Sequence, residues 1–133
     1  MGLRRFRAGD GRRVKAMVPN GPSAEVLIGT GDDWPMGVAH VVVPPGGGMP
    51  RHNHGSSAAM VVPLDGPVVI SDADDDAELE VGPGGVVTIP VGALVEVHNR
   101  GEAAVAIMVV FDPPDFTRQL ESWPVDEDRA GHR

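Results

Sequence analysis

The sequence predicts an all-β domain built as an antiparallel sandwich or barrel. Three observations carry that prediction. Short apolar stretches recur at close, regular spacing along the 133 residues, as expected of strands that follow one another without interposed helices. Eighteen glycines and thirteen prolines punctuate them, which suits tight turns and works against long helices. A helical pattern is confined to the C-terminal part, so the helices needed for parallel crossovers are missing.

The elements follow in order. Val14 to Ile28 reads as two short strands around the turn Pro19-Asn20-Gly21-Pro22. Gly29 to Pro35 is a loop, and Gly37 to Val43 is a strand stopped by Pro44-Pro45 and three glycines. Ala58 to Val62 is strand-like and ends at the turn Leu64-Asp65-Gly66; another strand begins at Val68. Ser71 to Asp76 is a charged turn, followed by a short strand through Leu79 to Val81. Val86–Ile89, Leu94–Val97 and Ala103–Phe111 complete the β-rich body. Phe116 to Trp123 reads as a short helix with Asp115 as its N-cap. Residues 124–133 are expected to fray. No repeat or linker divides the chain, so residues 1–133 are read as one domain.

Composition narrows the function. The net charge of −8 argues against general affinity for nucleic acid or for anionic membranes. The charge is uneven: residues 1–15 carry Arg4, Arg5, Arg7, Arg12, Arg13 and Lys15 against Asp10 alone. This basic arm reads as a solvated N-terminal segment on an acidic body. There is no cysteine, which excludes disulfides and thiolate ligands. No apolar run is long enough for a spanning helix, and no apolar stretch follows the first arginines, so the expected compartment is the cytoplasm.

Two groups of residues stand at fixed offsets. In the first, five residues separate Gly46 from His52, His54 follows, and Gly66 closes the pattern. In the second, five residues separate Gly84 from Pro90; Gly92 and then Asn99 follow. These segments, residues 46–66 and 84–99, resemble the two motifs of the cupin family. The resemblance implies a cupin β-barrel (a double-stranded β-helix, or jelly roll) with a short C-terminal helix. It also implies a metal site of three imidazoles and one carboxylate. Here the motif's glutamate position falls on Ala59 and its third histidine position on Val95.

The remaining pair has its own chemistry. Residues i and i+2 of a strand share a face, so His52 and His54 are expected to project into one cavity. Two neutral imidazoles form half of a site for a divalent transition metal: iron, manganese, nickel or zinc. His40, Ser57, Ala59 and Val95 are the remaining candidates for contact with a ligand in that cavity. Glu96 and His98 are expected to face outward, because Val95 and Val97 take the inward parity. The carboxylates Asp72, Asp74, Asp75 and Asp76 read as a solvated hairpin tip, since no EF-hand arrangement follows them. Met49 and Met60 read as rim and core packing.

Three functional readings follow. One is a metal-assisted oxygenase or isomerase in which His52 and His54 hold the ion. A second is a non-catalytic binding or sensor module, suited to a small molecule by the apolar residues at positions 59 and 95. A third is metal-free acid–base catalysis by one of the histidines. None identifies a catalytic residue. Small cupins resembling this one dimerise, often by exchange of N-terminal strands, and a homodimer is the expected assembly.

Overall fold

A computed structural model describes residues 2–127. Ten strands form two antiparallel sheets. In chain order they are β1 (Arg13–Lys15), β2 (Ser23–Ile28), β3 (Gly37–Val43), β4 (Gly48–His52), β5 (Ala58–Pro63), β6 (Val68–Asp72), β7 (Ala77–Val81), β8 (Val87–Ile89), β9 (Val95–His98) and β10 (Val105–Asp112). The larger sheet runs β1-β2-β3-β10-β5-β8 and the smaller runs β4-β9-β6-β7. Every pairing is antiparallel.

Strand alternation explains how the two sheets close on one another. In β3, Ala39, Val41 and Val43 are buried, whereas Val38, His40 and Val42 between them are only half-buried. In β10 the buried set is Val105, Ile107, Val109 and Phe111. These side chains meet Val68, Ile70, Val81 and Val95 of the smaller sheet in one core. Most are valine, whose branched side chain packs well on a pleated surface.

Asn99 closes the smaller sheet's side of the barrel. It is 2% exposed, and its Nδ2 donates to the carbonyls of Val43 (3.1 Å) and Ala103 (2.8 Å), while its Oδ1 accepts from Gly101 N. A buried amide is tolerated because its donors and acceptor are used.

The C-terminal segment departs from the expected capped helix. Pro114–Phe116 is a 3₁₀ turn and only Thr117–Glu121 (α1) is α-helical. Asp115 makes no capping bond. Instead Thr117 Oγ1 donates to the Pro114 carbonyl (2.7 Å), and Phe116 N donates to Ser57 Oγ (3.3 Å). The expected fraying is also corrected in part. Lys15 N donates to the Pro124 carbonyl and Asp126 N to the Arg13 carbonyl, both at 2.9 Å, and Val125 bridges to Val14. Residues 124–126 are therefore tied to β1; residues 128–133 of the predicted tail lie outside the described residues.

Candidate functional site

His52 ends β4, and the register of that strand explains how it reaches the interior. Met49 pairs with Val97 of β9, but His52 pairs with Val95, so three steps on β4 match two on its partner. This bulge resets the alternation, and both Met49 and His52 line the interior cavity. Glycine makes the approach to the bulge feasible. Gly46 takes φ 71°, a left-handed turn that costs other residues more. At Gly48 an added Cβ would overlap the Val97 carbonyl oxygen.

His54 lies beyond the strand, contrary to the expectation that both histidines share one. Gly55 N donates to Asn53 Oδ1 (2.9 Å), and Ser57 N donates to the His54 carbonyl (3.0 Å). This tight turn drops the His54 ring into the core, where it is 7% exposed. Its centroid lies 4.9 Å from that of His52, 5.0 Å from Phe116 and 5.8 Å from Phe111. The pair is thus brought together as expected, but by a turn and a bulge.

The two rings differ electrostatically. His54's pKa falls from 6.5 to about 4, first because burial penalises the charged ring and second because a charge on His52 would repel it. His54 is therefore neutral at pH 7. His52 Nδ1 lies 2.8 Å from the Pro50 carbonyl oxygen. A carbonyl can only accept, so Nδ1 carries the proton in this bond, and Nε2 of the neutral ring is left with a lone pair.

The pair forms the polar wall of a cavity of ≈ 70 Å³. Val61, Val97, Ile107 and Val109 supply its apolar sides, and Phe116, Leu120 and Trp123 of the C-terminal segment cover it. Sequence reasoning missed this cover. The apolar spacing of Phe116, Leu120 and Trp123 was the available signal, at helix-like steps of four and three.

Of the other candidate residues, His40 and Ser57 are corrected. His40 faces the outside of the larger sheet, where Arg13 Nη2 donates to its Nδ1 (2.7 Å). Alternation in β3 gives the interior to Ala39 and Val41 and so excludes His40. Ser57 is 1% exposed, and its hydroxyl is committed to structure: Oγ donates to the Pro113 carbonyl (2.6 Å) and accepts from Phe116 N. Ala59 and Val95 are buried in the core, at 5% and 3% exposure. The next inward residues on the same strands, Val61 and Val97, line the cavity. Glu96 and His98 are half-exposed and pair with each other (3.3 Å) on the outer face of the smaller sheet.

The cupin domain family (Cupin_2) matches residues 39–111, the span that holds both motifs and most of the cavity lining but not Phe116, Leu120 and Trp123. The chain belongs to the cupin family. Solved structures agree on the fold. The polyketide cyclase RemF from Streptomyces resistomycificus superposes with a TM-score of 0.70 at 23% identity, covering 84% of this chain and 80% of its own. A sugar phosphate isomerase of the cupin superfamily from Silicibacter pomeroyi gives 0.66 at 21%, covering 82% and 75%. An oxalate oxidase in complex with glycolate gives 0.63 at 18%; 74% of this cupin aligns with 54% of that chain. No curated protein sequence matches the chain.

The residues present do not fit a four-ligand metal centre. The glutamate and third-histidine positions are the apolar Ala59 and Val95, and among the described residues no three His, Cys, Asp or Glu side chains gather to hold an ion. This cupin presents a two-histidine remnant inside an apolar cavity.

Proposed function

We propose that this cupin binds a small, largely apolar molecule in the barrel interior, with His52 and His54 as its polar contacts and without a metal of its own. One observation carries the reading: a cavity walled by valine, isoleucine and aromatic side chains, with the two imidazoles at one side. A small-molecule site of this kind takes its affinity from apolar burial and its orientation from a few polar groups.

The cavity's ≈ 70 Å³ is small beside the roughly 300–1,000 Å³ of ordinary small-molecule pockets. A ligand of ordinary metabolite size needs the cover of Phe116, Leu120 and Trp123 to give way. Binding is therefore coupled to movement of the C-terminal segment. His54 is ill-suited to general-base work at pH 7, since a base with a pKa of about 4 holds protons too weakly.

Tryptophan provides the test. The two tryptophans are Trp34, which is 52% exposed, and Trp123, which lines the cavity. In a Trp34→Phe variant, Trp123 emission reports the site alone. A panel of neutral alcohols and monocyclic aromatics should shift that emission saturably. A His52→Ala/His54→Ala variant should bind the best of them more weakly. Unchanged binding would remove the histidines from recognition.

One observation favours a second reading, a metal-assisted oxygenase or isomerase. The Nδ1–H bond from His52 to the Pro50 carbonyl is the support that often orients a metal-ligating imidazole. In that reading substrate or water oxygens complete the shell of iron, manganese, nickel or zinc. Metal analysis of protein purified without chelators separates the two: one ion per chain favours the enzyme, and its absence favours the binding module.

A further inference from the structure

His54 is 7% exposed, yet its ring makes no hydrogen bond among the described residues; its ring contacts are with His52, Phe111 and Phe116. The other buried polar side chains, Arg13, Glu25, Ser57, Asn99 and Thr117, are all bonded. Among the described residues, no side-chain nitrogen or oxygen is both sealed and unpartnered. The His54 nitrogens therefore reach open space, and the ring lines the interior cavity. A polar group in an apolar wall is costly until something bonds it. This position calls for a hydrogen-bonding ligand.

The polar atoms of the cavity restrict what that ligand can be. His52 Nδ1 gives its proton to the Pro50 carbonyl (2.8 Å), so in the neutral ring Nε2 accepts and cannot donate. His54, also as a neutral ring, carries one N–H and one lone pair. The pair is complemented by a group that donates to His52 and accepts from His54. A carboxylate, an ether or a ketone only accepts, and would oppose the His52 lone pair. An ammonium ion only donates, and no aspartate or glutamate lines the cavity among the described residues to neutralise it. A hydroxyl does both. One oxygen about 2.9 Å from a nitrogen of each ring spans at most about 5.8 Å between them. Ring centroids 4.9 Å apart, with planes at 85°, are compatible with that span.

The remainder of the ligand must be apolar, because it meets Val61, Ile107, Val109, Phe116 and Trp123. The two aromatic residues suit a flat ring. Benzene fills an engineered cavity of about 150 Å³. A ring of that size enters the ≈ 70 Å³ space as the cover from Phe116 to Trp123 yields.

We propose that the ligand is a phenol, whose hydroxyl donates to His52 Nε2 and accepts from the N–H of His54. This rests on the binding reading given above and narrows its ligand class. Phenol, toluene and benzoate form the test, since toluene replaces the hydroxyl by a methyl group and benzoate replaces it by an acceptor-only anion. Affinities come from NMR titration of the full chain at pH 7, read at the methyl groups of Val61, Val97 and Ile107. Each net hydrogen bond is worth about 2- to 12-fold, so phenol should bind at least about fourfold more tightly than toluene. Benzoate should give no saturable shift. Phenol should also move the His52 Nε2 resonance, and His52→Leu should abolish the preference over toluene. A smaller or reversed preference in the wild type overturns the phenol class while leaving apolar binding intact. Benzoate bound as tightly as phenol overturns it too, as does a preference that His52→Leu leaves unchanged. No saturable shift with any of the three overturns both this inference and the binding reading. If His52→Leu does not fold, the wild-type series and the His52 Nε2 resonance decide.

Discussion

Acidification should destabilise this cupin through His54, by an amount that follows from its environment. The ring is 7% exposed, packed against Phe111 and Phe116, and its pKa is about 4 instead of 6.5. Between those two values the unfolded chain takes up a proton at this residue that the native state refuses. Unfolding is therefore favoured as pH falls through the window, and the stability associated with a neutral His54 is complete above about pH 6.5. Linkage gives a loss of about 2 kcal/mol by pH 5 and about 3 kcal/mol by pH 4, levelling off below. Glu78 lies lower, because hydrogen bonds from Arg100 hold its carboxyl below the usual carboxylate range. A His54→Leu variant isolates the one residue. Urea unfolding from pH 7.5 to 4 should find the two proteins within about 1 kcal/mol at neutral pH. At pH 4 the variant should lead by about 3 kcal/mol. Parallel stability curves, or a His54 ring that titrates near 6.5 by NMR, would refute the argument that burial sets its charge.

Further outcomes concern the cover and the frame. Ser57→Ala leaves the Pro113 carbonyl and Phe116 N without the bonds they now make; urea unfolding should show a cost of about 1–3 kcal/mol, with Trp123 emission shifted to the red. Phe116→Ala opens the cavity beneath the cover and should cost about 3 kcal/mol, while extending the range of alcohols that shift Trp123 emission to larger ones. Gly48→Ala places a methyl group on the Val97 carbonyl oxygen, so β4 must move away from β9. A loss of about 3 kcal/mol or more is expected, with chemical-shift changes reaching His52.

Much of the fold was legible because its signals are local. Inward and outward positions of β3 and β10 follow from alternation alone, and the spacing of Gly46, His52, Pro90, Gly92 and Asn99 carries the family's frame. What was not legible depends on register and on distant partners. The bulge between Met49 and His52 is visible only against β9. His54 enters the cavity through a turn, so a strand argument reached the right pairing of histidines by the wrong local geometry. His40 was misplaced because its alternation with Ala39 and Val41 was not carried through. Ser57 looked free because its partners, Pro113 and Phe116, lie 56 and 59 residues away. The cover of Phe116, Leu120 and Trp123 was missed because a short amphipathic segment does not reveal which cavity it closes.

The central claim is that an apolar cavity holding His52 and His54 binds a small molecule without a metal. It is tested most directly by a two-dimensional NMR titration of isotopically labelled protein, read at the His52 and His54 rings and at the methyl groups of Val61, Val97 and Ile107. Neutral alcohols and small aromatics should shift these signals together and saturably, whereas zinc, added at excess in their absence, should leave the rings unchanged. Stoichiometric capture of zinc by both imidazoles, with no response to any apolar molecule, would contradict the account.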